Sequence, residues 1–173
     1  MKTTKLINLL LFMLIINACN MDNSIESDAP AEPIALTAGQ VEKASGDNSF
    51  AFKIFKEVSA LNGSNTFFSP LSLNAALGML YNGASGETRA EMAETLGIAD
   101  FTDTEINEYY QKMLQALLKI DPNTDIGIAN SIWYRTGLPV KQAFIDVNKN
   151  YFQAEVKSLD FNSPDAANII NKC

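Results

Sequence analysis

Along the chain the spacing of apolar residues changes at a few sharp points, and those points divide it. Lys2 and Lys5 precede an apolar run from Leu6 to Ile16, interrupted by Asn8. A basic start followed by an apolar stretch of this length is the pattern of an export signal. A membrane-crossing helix needs about 20 apolar residues, more than this run supplies. From Asn20 to Gly39 the chain is polar, acidic and proline-containing, with no helical stripe. Such a segment buries too little apolar surface to fold. From about Val41 the period becomes helical: Phe50, Ile54, Val58 and Leu61 fall on one stripe, and Asn62-Gly63 supplies a stop.

Asn65 to Phe68 reads as a short buried strand, and Ser69-Pro70 as a helix start. Serine caps free N–H groups, and proline suits the first helical position. The helix from Leu71 to about Asn82 is apolar nearly all round, which predicts packing on every side, and Gly83 ends it. Thr88 and Glu91 have the spacing of a capping box for a helix that stops at Gly97. A longer helix carries Ile106, Tyr109, Tyr110, Met113, Leu117 and Ile120 on one face, and Asp121-Pro122-Asn123 stops it. A strand is expected from Asp125 to Arg135, then a turn at Thr136-Gly137. Pro139 opens a helix through Phe144, Val147, Asn148 and Tyr151. A second strand runs from about Ala154 to Phe161, and Ser163-Pro164 begins one more helix.

The fold class is therefore α+β and helix-rich. Two long strands are too few to cover several amphipathic helices and one that is apolar all round. The expectation is an incomplete fold with open apolar patches and free sheet edges. Nothing after Pro164 marks a helix stop before Cys173, so the chain is expected to be part of a larger domain.

Charge and composition narrow the chemistry. The net charge is −7, so no basic surface exists to neutralise phosphates, and nucleic acid is not a partner. The 173 residues contain no histidine, which removes the commonest general base and the commonest metal ligand. No nucleophile–base pair is present: Gly83-Ala84-Ser85-Gly86 lacks the Gly-x-Ser-x-Gly spacing of a nucleophile elbow. The chain is not expected to be an enzyme. Asp121, Asn123 and Asp125 place oxygens at alternate positions, as a calcium loop does. The glycine is displaced to Gly127, however, and Ile132 stands where the closing glutamate belongs. A polar loop is expected there, with no metal and no cofactor. Trp133 and Tyr134 are read as sheet and core packing, and Asn62-Gly63-Ser64, although a glycosylation sequon, as a turn.

The two cysteines are Cys19 and Cys173; a disulfide between them is formally possible. Ile16-Asn17-Ala18-Cys19, however, resembles the bacterial lipobox, in which a small residue precedes a cysteine that becomes lipidated. The alternative is an ordinary signal peptide with a chance cysteine. Lipid attachment is preferred because Cys19 lies where the apolar run stops and the polar linker starts. This reading makes residues 1–18 a signal peptide and residues 19–40 a flexible linker after the lipid-attachment residue Cys19. It places the protein at the bacterial cell envelope, on the outer membrane or cell surface.

Several joints of the remaining 41–173 carry a family likeness. Asn65-x-Phe67-Phe68-Ser69-Pro70-Leu71-Ser72-Leu73 is followed by Ala75-Ala76-Leu77 and Gly83-Ala84-x-Gly86-x-Thr88. Then come Ala129-Asn130-Ser131-Ile132-Trp133-Tyr134, Tyr151-Phe152-x-Ala154-Glu155-Val156, Leu159-Asp160-Phe161 and Ile170-Asn171. In this order they resemble the N-terminal part of a serpin. The resemblance implies a protease inhibitor that works as a trap: a protease cleaves an exposed reactive loop, which then inserts as a strand into the central sheet. It implies serine proteases as targets of the whole protein, with cysteine proteases as the second class. It also assigns Ser69, Pro70, Ser72 and Asn171 to the shutter region beneath the opening of the sheet. For Ser69 a plain helix cap explains the residue equally well. No stretch resembles the hinge or the reactive loop, so the 173 residues alone are expected to be inactive. A non-inhibitory serpin-fold binding or structural module is the alternative function.

Overall fold

The structure, a computed structural model, describes residues 33–62, 65–121 and 123–172. The signal, Cys19, most of the linker and Cys173 lie outside these residues. Among the described residues six helices and two strands follow in order: α1 (Ala38–Asn62), α2 (Pro70–Tyr81), α3 (Gly86–Thr95), α4 (Asp103–Leu117), β1 (Ser131–Arg135), α5 (Gln142–Phe152), β2 (Glu155–Leu159) and α6 (Ala166–Ile170).

Helix α1 begins at Ala38, three residues before the folded part was expected to start. Thr37 and Gln40 are the reason. The Gln40 N–H donates to Thr37 Oγ1 at 3.3 Å and the Thr37 N–H to Gln40 Oε1 at 3.1 Å, the reciprocal bonds of a capping box. The capping box expected at Thr88 and Glu91 does not form: α3 starts earlier, at Gly86, and its N-cap Ser85 makes no side-chain bond. A capping box stands instead at α4, where Thr102 and Glu105 exchange both bonds. At the other end of α3 the stop is as expected. Gly97 adopts φ +63°, its N–H donates to Glu94 O at 3.1 Å, and the Ile98 N–H donates to Ala93 O at 2.8 Å. Those two bonds make a Schellman motif, and the positive φ is why glycine serves there.

Other boundaries shift for physical reasons. Residues 65–69 are not a strand, and Phe67 is fully exposed; among the described residues they have no sheet neighbour to pair with. The strand expected from Asp125 shortens to Ser131–Arg135, because its partner β2 is five residues long. Pro139 lies ahead of α5 rather than at its first turn, and the N-cap of α5 is Lys141. Ser163 caps a turn, its Oγ accepting the Asp165 N–H at 3.3 Å, and α6 begins at Ala166.

Strands β1 and β2 run parallel, in register from Ser131 opposite Glu155 to Arg135 opposite Leu159, with α5 as the crossover between them. The core lies where α2, α4, α5 and β2 meet, with Met79, Tyr110, Leu114, Phe152, Ala154 and Val156 buried together. Gly78 makes that meeting possible. A Cβ there would stand 2.7 Å from the Tyr110 ring and 3.3 Å from the Phe152 ring. Helix α2 is not enclosed on every side as expected: Leu80 is exposed, and so are Phe52, Leu61, Leu138, Phe161 and Ile169 on other elements.

Candidate functional site at the start of α2

The segment from Ser69 to Ser72 is built by its own capping. Ser69 sits in extended backbone, at φ −101° and ψ 106°, and its Oγ accepts the Ser72 N–H at 3.2 Å. Pro70 occupies the first helical position, where its missing N–H costs nothing. The Ser72 hydroxyl then donates to Ser69 Oγ at 3.0 Å. Both serines are exposed and border a groove of about 430 Å³, with Leu114 and Leu117 of α4 on one side and the segment 126–130 on another. A hydroxyl both donates and accepts, so this pair can offer bonds to backbone laid in the groove while keeping the helix capped. Asn171, the fourth residue of the expected set, is the C-cap of α6 and borders a different concavity, beside Asp165, Asn168 and Lys172. Ser69, Pro70 and Ser72 thus share the start of α2, and Asn171 stands at the end of α6.

Two other segments weighed from sequence have local structural roles. Asp121 accepts from the Asn123 N–H at 2.9 Å and from the Thr124 hydroxyl. Those bonds hold its carboxyl below the usual carboxylate range, with the Thr124 side chain the larger cause. The loop is a side-chain-closed turn, and among the described residues no group of acidic, histidine or cysteine side chains is placed to hold a metal ion. Trp133 and Tyr134 are half-buried in β1; Tyr134 packs against the core, and the Trp133 indole donates to Ser131 Oγ at 3.0 Å.

One polar cluster was not anticipated. Asp47 of α1 accepts from the Lys43 ammonium and from the Asn74 amide of α2, and its second oxygen accepts the Tyr109 hydroxyl of α4 at 2.7 Å. The Tyr110 hydroxyl completes the set, donating to Asn74 Oδ1 at 2.8 Å. Lys43 is 1% exposed, and burial pushes its ammonium below the ordinary lysine value against the raising effect of Asp47. Burial also pushes both tyrosines well above the ordinary phenol value, with Asp47 adding to the shift. The available signal was Asn74, a lone amide in an otherwise apolar helix, together with Lys43 and Asp47 one helical turn apart. Neither says which helices converge.

Comparison with known proteins identifies the family. The family model described as Serpin (serine protease inhibitor) matches residues 45–173, more than half of the chain. The chain is 38% identical over 113 residues to Iripin-3 of Ixodes ricinus, covering 63% of this chain and 29% of that protein. It is 32% identical over 150 residues to alpha-1-antitrypsin 1-4 of Mus musculus, covering 84% of this chain and 36% of the relative. Among solved structures, reactive-loop-cleaved human thyroxine-binding globulin superposes with a TM-score of 0.68 at 31% identity, over 78% of this chain and 41% of that one. Cleaved lamprey angiotensinogen gives 0.66 at 31% identity, over 77% of this chain and 39% of that one. The chain therefore spans about a third of the length of the curated relatives it matches. On the family match across residues 45–173, and on a helix order and parallel strand pair that superpose on solved relatives, the chain belongs to the serpin family.

Proposed function

We propose that the whole protein inhibits serine proteases by the serpin trap, held at a bacterial cell envelope through a lipid on Cys19. The observation that carries the inhibitory reading is the family match over residues 45–173, with antitrypsins among the relatives. In the trap the protease serine attacks a carbonyl of the reactive loop. The scissile amide breaks, its new amino end departs, and an ester holds protease and inhibitor together. Insertion of the loop into the sheet then distorts the protease before water can hydrolyse the ester. Residues 69–72 would bond the sheet in both of its states, and the serine hydroxyls suit that task because each can switch between donating and accepting.

These 173 residues are proposed to be inactive by themselves. No stretch among them resembles the hinge or the reactive loop that the trap cleaves and inserts. Thyroxine-binding globulin, named for binding thyroxine, is among the solved relatives, so a non-inhibitory binding role is the second reading.

The test is to incubate the whole gene product with trypsin-like, chymotrypsin-like and elastase-like proteases and look for a covalent complex that survives SDS. Such a complex supports the trap. Plain cleavage of the protein by all of them, with no complex, rejects it in favour of the binding role. A complex formed by the 173 residues alone would overturn their proposed inactivity. For the anchor, cells expressing wild type and Cys19→Ser are grown with a clickable fatty acid; label in the variant would refute attachment at Cys19.

A further inference from the structure

The first half of α1 is attached to its neighbours in an unusual manner. A helix ordinarily docks through an apolar stripe, yet between Ala38 and Phe50 the buried side chains are Lys43 and Phe50. Val41, Glu42, Ser45, Asn48 and Ser49 are exposed, and Ala44 is half-buried against the core. At the centre of the contact stands the Asp47 carboxylate, on which Lys43 of α1, Asn74 of α2 and Tyr109 of α4 converge. The Lys43 ammonium also lies 5.3 Å from the Tyr109 ring centroid and 5.2 Å from that of Tyr110, within cation–π range. One carboxylate thus joins three helices.

We propose that the Asp47 cluster is a releasable latch, which holds the first turns of α1 onto α2 and α4 and whose opening frees that half-helix while the core around Tyr110 and Phe152 stays folded. Three considerations carry it. Removing one partner of a buried ion pair leaves an uncompensated charge, which is strongly unfavourable, so the cluster holds completely or lets go. Ahead of Phe50, which anchors the end of this stretch in the core, the apolar burial opposing release of the first turns is that of half-buried Ala44. A further tie runs from the half-buried Lys112 ammonium to Ala35 O, an exposed contact, and to Gln40 Oε1, and neither contact reaches the core.

Hydrogen exchange on the full chain, read by mass spectrometry on peptides from 38–50, 103–117 and 142–159, tests the proposal. Asp47→Asn should speed exchange in 38–50 on the order of tenfold to a hundredfold and leave the other two segments within about twofold of wild type. Tyr109→Phe removes one bond to Asp47 and should speed the same segment several-fold. Adding Lys43→Met to Asp47→Asn removes the stranded ammonium and should return part of the protection. An equal rise in all three segments, or loss of folding in Asp47→Asn, would show the cluster to be an inseparable part of the core. An unchanged 38–50 segment in both single variants would show that the cluster holds nothing.

Discussion

At the scale of single residues, Ser69 has two roles that a substitution can separate. Its Oγ caps α2 by accepting the Ser72 N–H, and it also accepts the Ser72 hydroxyl at the edge of the groove. Ser69→Ala removes the cap and should lower stability by about 1 kcal/mol, as loss of an N-cap generally does. Ser69→Asn retains a capping oxygen and should restore most of that in urea unfolding. If a hydroxyl serves the moving sheet as well, Ser69→Asn in the whole protein will stay stable yet form less SDS-stable complex per molecule cleaved. Equal complex yields for Ser69→Asn and wild type would reduce Ser69 to a cap. The Ser-Pro pair was legible in sequence because capping needs neighbours in the chain alone. The Asp47 cluster was not, because its partners lie 27 and 62 residues away and no local pattern brings them together.

At the scale of elements, the same distinction explains which boundaries were readable. Stops that depend on one residue came out correctly, as Gly97 shows with its left-handed backbone. Strand lengths did not, because they are set by a partner. Residues 125–130 have suitable strand residues, but β1 begins only at Ser131, opposite Glu155, the first residue of β2. Capping boxes fall between these cases: the spacing is local, yet α3 already begins at Gly86, so Thr88 and Glu91 lie inside the helix rather than at its cap. Thr102→Ala should therefore lower stability by about 1 kcal/mol, while Thr88→Ala changes it by a few tenths at most. The Thr102 box also has a pH signature. Backbone and side-chain bonds from Thr102 hold the Glu105 carboxyl below its ordinary value. A depressed carboxyl contributes stability that is fully present above the ordinary carboxylate range and lost as pH falls through the lowered value. Thermal unfolding of wild type and Glu105→Gln should thus converge as the pH drops from 6 to about 3; a constant gap would refute the assignment.

At the scale of the whole molecule, the family was legible in sequence because its motifs sit at the joints between elements, where geometry leaves few residue choices. What sequence left open was how the apolar surface would be shared out. Phe52, Leu61, Phe67 and Leu138 are all more than half exposed, although each belongs to a type that folded domains tend to bury. Helix α2 shows the same imbalance, with Ala75 and Met79 buried and Leu80 open. The relatives are about three times as long as the stretch they share with this chain. The open side chains therefore mark surfaces that the rest of such a domain would cover. Produced as residues 33–173 alone, the chain should bind the dye ANS and sediment as a concentration-dependent mixture, because large apolar side chains left open in this number drive association. Extending the same gene product to the full length of its relatives should abolish both behaviours. A short chain that sediments as a single monomer without binding dye would mean that these side chains find partners within it, and that the two-stranded sheet is stable unaided.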